Sequence, residues 1–122
     1  MNRGSSHKKS SALASFGRLY YEKGQYQKAL DFQQEAYELA CQTTNKPQQA
    51  RSLNSLGAAY SKLKQWQNAL KSYQAAQQLG EQLFSARIVW LAHSGMAANY
   101  RHLGQFAEAE KHYRLAIQSQ ET

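Results

Sequence analysis

The chain has 122 residues, the length of one domain or of a piece of one, and its 15 Lys and Arg against 8 Asp and Glu give a net charge of +7. The single cysteine, Cys41, excludes an internal disulfide and favours a reducing, cytoplasmic setting. Apolar runs span only a few residues, so the sequence predicts no membrane span and no signal peptide. The positive charge indicates an acidic partner without specifying its kind.

The first ten residues form a polar segment without periodic apolar positions. We expect residues 1–10 to be a disordered arm or the remnant of a tag. The folded domain is then predicted to span residues 11–119, in three units of about 11–43, 47–83 and 86–119.

Helical periodicity runs through the rest of the chain. Apolar residues recur at steps of three and four, as in Leu13, Phe16 and Tyr20, and strand-like alternation is absent. The pattern predicts six helices in three hairpins. They cover residues 8–23, 26–41, 47–63, 66–80, 85–103 and 106–119.

Short breaks separate the predicted helices. Glycine at two of them, Gly24 and Gly104, suits the left-handed residue that ends a helix. Before the third helix, Thr44 or Asn45 can act as the N-cap, and Pro47 fits the first turn.

Similar residues recur at a spacing of 40 positions. One column holds Gly17, Gly57 and Ala97, and another holds alanine at positions that include Ala29 and Ala69. Two antiparallel helices approach closely where the crossing side chains are small, so these columns predict tight hairpins. A fixed period in this range is typical of a stacked repeat protein.

These columns resemble the tetratricopeptide repeat, whose signature joins Leu-Gly to a Tyr three positions on, followed later by Ala and an aromatic residue. The second copy matches it at Leu56, Gly57 and Tyr60, and then at Ala69 and Tyr73. The resemblance covers residues 12–119, in three copies.

Two features depart from the usual pattern. The period is 40 residues instead of ~34, and long repeats of this kind resemble those of Pins-type adaptors and kinesin light chains. The first copy has Gln33 where the later aromatic residue belongs, and Phe32 stands one position early.

The resemblance implies an all-α fold, in which three tandem helix-turn-helix repeats form a right-handed superhelical solenoid. In this family the first helix of each repeat lines a concave groove, and the second helix forms the convex back. The resemblance also implies a scaffold or adaptor that binds other proteins.

The helical period, applied to the first helix of each repeat, predicts which side chains face the groove. The predicted partner-binding residues are Arg18, Tyr21, Arg51, Asn54, Lys62, Arg87, Leu91, Arg101 and His102. Arginine captures carboxylates through paired hydrogen bonds, and Asn54 offers a donor and an acceptor to a peptide backbone. The expected ligand is therefore an acidic peptide segment of another protein.

The acidic residues support this prediction, because only Glu22 of the 8 falls on a predicted first helix. The others lie on or beside second helices or, in the case of Glu121, in the tail. Members of the family that bind chaperone tails use a Lys and Asn clamp, and of its matching positions only Arg18 could serve. We therefore predict no binding of that type. The matching positions are Ala14, Arg18, Ser55, Leu91 and Gly95.

Two other functions compete with a peptide-binding groove. The last predicted helix leaves Tyr113, Leu115 and Ile117 without a polar capping helix, so the chain is either an excerpt of a longer array or a module that pairs with another copy. Nucleic acid is the second alternative, since clustered cations suffice for phosphate contacts. The predicted groove, however, offers few aromatic rings for stacking bases.

The sequence predicts no enzyme, metal site or cofactor. The four histidines show no metal-binding pair at helical spacing, and no glycine-rich phosphate loop is present. Glu108 and His112 are four positions apart, a spacing that more often means a surface pair than a catalytic one.

Overall fold

A computed structural model describes residues 3–120, which form six α-helices and no strands. Their bounds are α1 Arg3–Glu22, α2 Tyr26–Gln42, α3 Lys46–Lys62, α4 Trp66–Gln82, α5 Ala86–His102 and α6 Phe106–Ser119. From α2 onward each helix begins and ends within two residues of the predicted bounds. The predicted all-α tandem-repeat solenoid is confirmed.

The five turns between the helices share one geometry. Each contains three residues, and the middle one has a positive φ: 79° at Gly24, 52° at Thr44, 62° at Lys64, 54° at Phe84 and 75° at Gly104. In every turn the backbone N–H of the third residue donates to the carbonyl five residues earlier, at 2.8–2.9 Å. This bond closes the preceding helix through a left-handed residue. Glycine occupies the left-handed position in two of the turns, where the sequence signals it. In the other three turns the left-handed residue is Thr44, Lys64 or Phe84.

Of the helices α2 to α6, two begin with a side-chain cap. The Asn45 side chain accepts a hydrogen bond from the Gln48 N–H at 3.2 Å, and Pro47 occupies the first turn of α3 as predicted. In α5 the Ser85 hydroxyl accepts from the Ile88 N–H at 3.2 Å. Such caps satisfy one of the free N–H groups at each helix start.

The prediction of a disordered arm is wrong from Arg3 onward, because α1 begins there. Ser6 and Ser10 are buried, and the Ser10 hydroxyl donates to the Ala36 carbonyl of α2 at 3.0 Å. Small polar side chains gave no apolar signal in the sequence, yet they allow α1 to pack closely on α2. Residues 1–2 of the predicted arm lie outside the described residues.

The order of the helices in space follows their order in the chain, since each packs against the next. Two further contacts join first helices, α1 with α3 and α3 with α5. Within the described residues, α2 does not contact α4, and α4 does not contact α6. The first helices therefore lie closer together than the second ones, which curves the array around α1, α3 and α5. No helix of this part of the chain is long and apolar enough to cross a membrane.

The core is centred on the second repeat, where small residues let helices approach. The Tyr73 ring of α4 lies against Gly57 of α3 and Gly95 of α5, leaving no room for a Cβ at either glycine. The buried cluster comprises Leu30, Leu53, Leu56, Ala59, Ala69, Leu70, Tyr73, Ala76, Ala92 and Met96. The predicted small-residue crossings are confirmed at Gly57 and at Ala69.

Candidate binding groove

The inner face of the array contains four adjoining hollows, of about 400, 170, 460 and 100 Å³. They lie between the first helices, and neighbouring hollows share lining residues such as Arg18, Ser55 and Ala58. We call them together the first-helix groove. All nine residues of the predicted binding set line it.

The groove is basic. Arg18, Arg51 and Arg87 come from three different helices and line the same hollow of about 400 Å³. Lys62 and Arg101 line the neighbouring hollow of about 460 Å³. These five side chains are exposed, and no Asp or Glu lines any of the four hollows.

The acids lie elsewhere and do not neutralise the groove. Between described side chains, close contacts of a basic group with a carboxylate occur only within α6, where Arg114 pairs with Glu110 and the His112 Nε2 lies 4.0 Å from a Glu108 oxygen. Arg51 donates one hydrogen bond, to the Gln48 amide oxygen at 3.2 Å. The guanidinium groups of the groove thus keep donors for an anionic ligand.

Aromatic residues at one end of the groove already have partners. Tyr21 meets Tyr26 edge to face at 5.3 Å between ring centroids, and the Lys62 ammonium lies 6.0 Å from the Tyr26 ring. The His102 ring stacks on Trp66 at 5.2 Å. The apolar contact left for a ligand is Leu91, half-buried in the hollow of about 400 Å³.

Asn54 lines the groove but is partly used by the fold. Its side-chain nitrogen donates to the Ile88 carbonyl of α5 at 3.3 Å, tying α3 to α5. Its Oδ1 is buried and has no partner among the described residues. The sequence predicted that Asn54 offers a donor and an acceptor to a ligand backbone, whereas the structure uses one of its two N–H groups for α5 and buries the acceptor.

Gln33 was not among the predicted groove residues, yet it lines two of the hollows. Its amide nitrogen donates to the Ala14 carbonyl at 3.0 Å, and its Oε1 is buried without a partner. Gln33 stands 40 positions before Tyr73, and the smaller side chain leaves a hollow of about 170 Å³ between α1 and α3. The break in the aromatic column at Gln33 was the available signal.

The sequence also missed a histidine pair between α5 and α6. The Nδ1 atoms of His93 and His112 lie 3.0 Å apart, so one must donate and the other accept. The Tyr100 ring stacks on His112 at 5.4 Å, as Tyr20 stacks on Phe32 at 5.5 Å in the first repeat. Burial lowers the pKa of His93 and of His112, and their mutual repulsion lowers that of His93 further. Among the described residues, no group of three or more His, Cys, Asp or Glu could hold a metal ion.

Fold and groove together define a helical-repeat solenoid with an extended concave binding surface. The sequence profile of the tetratricopeptide repeat matches residues 10–47, 49–87 and 94–122. The chain therefore belongs to the tetratricopeptide repeat family, whose stacked repeats act as protein-interaction scaffolds.

A solved structure with the same fold is the N-terminal domain of stress-induced protein-1 (STI-1) from C. elegans. The two share 16% sequence identity, with a TM-score of 0.78 over 93% of this chain and 86% of the other. An identity this low establishes the fold alone. No curated protein matches the sequence.

Proposed function

We propose that this chain is an adaptor that binds an acidic peptide segment of a partner protein in the first-helix groove. The observation that carries the proposal is the cluster of Arg18, Arg51 and Arg87 around one hollow that no carboxylate lines. Like charges gathered on one face repel one another, so the array bears a cost that a bound anion would relieve.

The chemistry of the three arginines favours carboxylates. A guanidinium binds a carboxylate through two parallel hydrogen bonds, each shorter and stronger than a neutral one. Exposed ion pairs are worth only about 0–1 kcal/mol each, so the specificity rests on several of them in one fixed arrangement. An extended or helical segment with spaced Asp or Glu residues fits this arrangement, and an apolar residue of the segment would contact Leu91.

The proposal also includes a cellular compartment and a type of repeat protein. Cys41 is an exposed free thiol, which suits a reducing cytoplasmic compartment. The long repeat and partner-binding groove also suit an adaptor of the Pins or kinesin light chain kind. No cofactor takes part in the proposed binding.

A peptide-display selection tests the proposal. A randomised peptide library is selected on the wild-type chain and on the triple variant Arg18→Glu/Arg51→Glu/Arg87→Glu. The matched control changes as many charges on the back, Lys28→Glu/Lys71→Glu/Lys111→Glu, so both variants carry the same net charge. Circular dichroism checks that all three chains are equally helical.

The expected result is enrichment of Asp and Glu in peptides selected by the wild type and by the back-face control, and loss of that enrichment with the groove variant. The affinity of the selected peptides should fall by at least about tenfold in the groove variant, as befits several lost charge contacts. Equal enrichment on both variants would refute the groove as the binding site.

Binding of nucleic acid is the second function considered for the basic groove. The groove aromatics argue against it, because Tyr73 is wedged between two glycines and the Trp66 ring is stacked on His102. Recognition of single-stranded nucleic acid requires aromatic ring faces on which bases can stack, and few such faces remain in the groove. A random-sequence RNA oligonucleotide serves as the comparison ligand, and tighter binding of this RNA than of the selected peptides would favour this second function.

A further inference from the structure

We propose that copies of this chain associate head to tail, with the outer face of α1 in one copy packed on the outer face of α6 in the next. The proposal concerns the two ends of the array and is independent of the groove. It rests on a comparison of each end face with the equivalent face inside the array, 40 or 80 positions along the chain.

The outer face of α6 carries three apolar side chains, Phe106, Tyr113 and Ile117, that are 67%, 38% and 60% exposed. In α4 the residues 40 positions earlier are partly or fully covered, and Tyr73, the equivalent of Tyr113, is 7% exposed. The cover in that case is α5. Within the described chain, α6 packs against α5 alone, so its opposite face has no helix on it.

The outer face of α1 is the counterpart. Phe16 is 50% exposed, whereas Leu56 and Met96, at the same repeat position, are 3% and 1% exposed. Leu19 is likewise exposed where Ala59 is buried. In α3 and α5 this face packs on the preceding second helix, and no described helix precedes α1.

The contact of α5 with α4 supplies the template for the joint. There the Tyr73 ring lies against Gly95, the Ile88 and Val89 side chains lie over Gly80, and His102 stacks on Trp66. An identical placement of α1 on α6 puts Ser15 over Tyr113, the repeat equivalents of Gly95 and Tyr73. It also brings Phe16 and Leu19 to the apolar face of α6.

The fit requires two local adjustments. Gln120, Lys8 and Lys9 stand where Gly80, Ile88 and Val89 do in the template, so their longer side chains must turn toward solvent. Gly95 has no Cβ, whereas Ser15 has one, so the Tyr113 ring must turn aside relative to Tyr73. Tyr113 is exposed, which leaves its ring free to do so. A joint between two different faces that repeats the packing inside the array continues the solenoid, so it builds chains of copies.

Charge opposes this association, because each copy carries +7. Added salt shortens the Debye length to about 3 Å at 1 M, which screens that repulsion and leaves the apolar contact intact. Association should therefore strengthen as salt is raised, opposite to the behaviour expected of an acidic peptide in the groove.

The test uses two exposed positions, one on each face: Leu19→Glu and Ile117→Glu. Sedimentation velocity of the wild type should show a mass that rises with concentration above the 13.8 kDa of the single chain. Each variant alone should stay monomeric, since every copy lacks one face. An equimolar mixture should form a dimer and nothing larger, because each variant keeps the face that the other lacks.

Other arrangements give different patterns. If two α6 faces pair with each other, Leu19→Glu alone still dimerises and the mixture forms no mixed dimer. A wild type that stays monomeric at every concentration and salt, or a mixture that stays monomeric, equally overturns the proposal. Circular dichroism of both variants verifies folding, and a matched change at an exposed position on the back, Gln74→Glu, should leave association unchanged.

Discussion

The two junctions between successive repeats are built on the same columns but packed differently. At the second junction the Tyr73 ring lies between α3 and α5, against one glycine of each helix. At the first junction Gln33 takes that place, and a hollow of about 170 Å³ remains beside an unpartnered amide oxygen. One residue in a column of the repeat therefore decides whether a buried ring or an amide side chain packs between the helices of a junction.

The difference also affects the stability of the two junctions. Apolar burial around Tyr73 stabilises the second junction, and the first junction has no such ring. Each junction holds one buried amide oxygen without a partner, that of Gln33 at the first and that of Asn54 at the second. The three arginines share a hollow of about 400 Å³ that Tyr73 also lines, whereas only Arg18 among them lines the hollow of about 170 Å³ beside Gln33. Four predictions compare the two junctions, or repeats that share a column, and run from the largest expected effect to the smallest.

The largest effect is expected from Tyr73→Ala. Removal of the buried ring leaves a cavity lined by two glycines, so the free energy of unfolding should fall by about 3–5 kcal/mol. Urea denaturation followed by circular dichroism measures the change. The matched substitution Gln33→Ala should cost clearly less, and equal losses at the two positions would show that the junctions do not differ in packing.

A smaller effect is expected from Gly95→Val. The new side chain collides with the Tyr73 ring, and overpacking of this kind costs about 1–3 kcal/mol. Ser55 occupies the same column at the first junction, beside the open hollow, so Ser55→Val should change the unfolding free energy by no more than about 0.5 kcal/mol. The comparison fails if both valines destabilise the chain alike.

Gln33→Leu should stabilise the chain by about 1 kcal/mol, because it removes a buried oxygen that has no partner. The lost hydrogen bond to the Ala14 carbonyl offsets only part of this gain, since carbonyls inside a helix already accept a bond. Thermal unfolding provides the measurement. An equivalent change at an exposed position of α4, Gln74→Leu, controls for added apolar surface, and destabilisation by Gln33→Leu alone would contradict the prediction.

The smallest effect on stability is expected from acidification, and its cause is the histidine pair of the third repeat. Because burial lowers the pKa of His93 and His112 in the folded state, the unfolded chain binds more protons below the ordinary value of 6.5. Stability is therefore complete above that pH and declines as the pH falls through it. The charge of Glu108 raises the pKa of His112, and that of Lys111 lowers it. The charge of Glu81 raises the pKa of His93, so these three charges change the size of the decline.

Urea midpoints measured between about pH 7.5 and pH 5 would reveal this decline. His112→Phe reproduces the side chain that Phe32 supplies at the same column of the first repeat, and it should flatten the curve in this range. A curve of unchanged slope in His112→Phe would assign the acid sensitivity to other groups.

The helices from α2 onward could be predicted because their local signals agree. Apolar residues at helical spacing, Asn45 before Pro47, and glycine at Gly24 and Gly104 all mark the same boundaries. The start of α1 could not be predicted, since Ser6 and Ser10 pack against α2 without any apolar pattern. The assignment of the groove to the first helices came from the family resemblance, and the helical period then selected the side chains predicted to face it.

The details of the site depended on distances between helices, which a sequence pattern does not contain. The bond of Asn54 to the Ile88 carbonyl crosses from α3 to α5, and the contact of His93 with His112 crosses from α5 to α6. Gln33 was noticed as a break in the pattern, but whether a shorter side chain leaves a hollow or lets helices close on it depends on the neighbouring backbone.

The five turns have a positive φ at intervals of 20 residues, from Gly24 to Gly104, and α2 to α5 each contain 17 residues. The turn that connects two hairpins therefore has the same length and backbone geometry as the turn inside a hairpin. Backbone geometry does not distinguish where a repeat starts, and only the side-chain columns do. A 40-residue duplication spliced into any of these turns would keep every later helix in phase, so this architecture can grow from its interior as readily as from its ends.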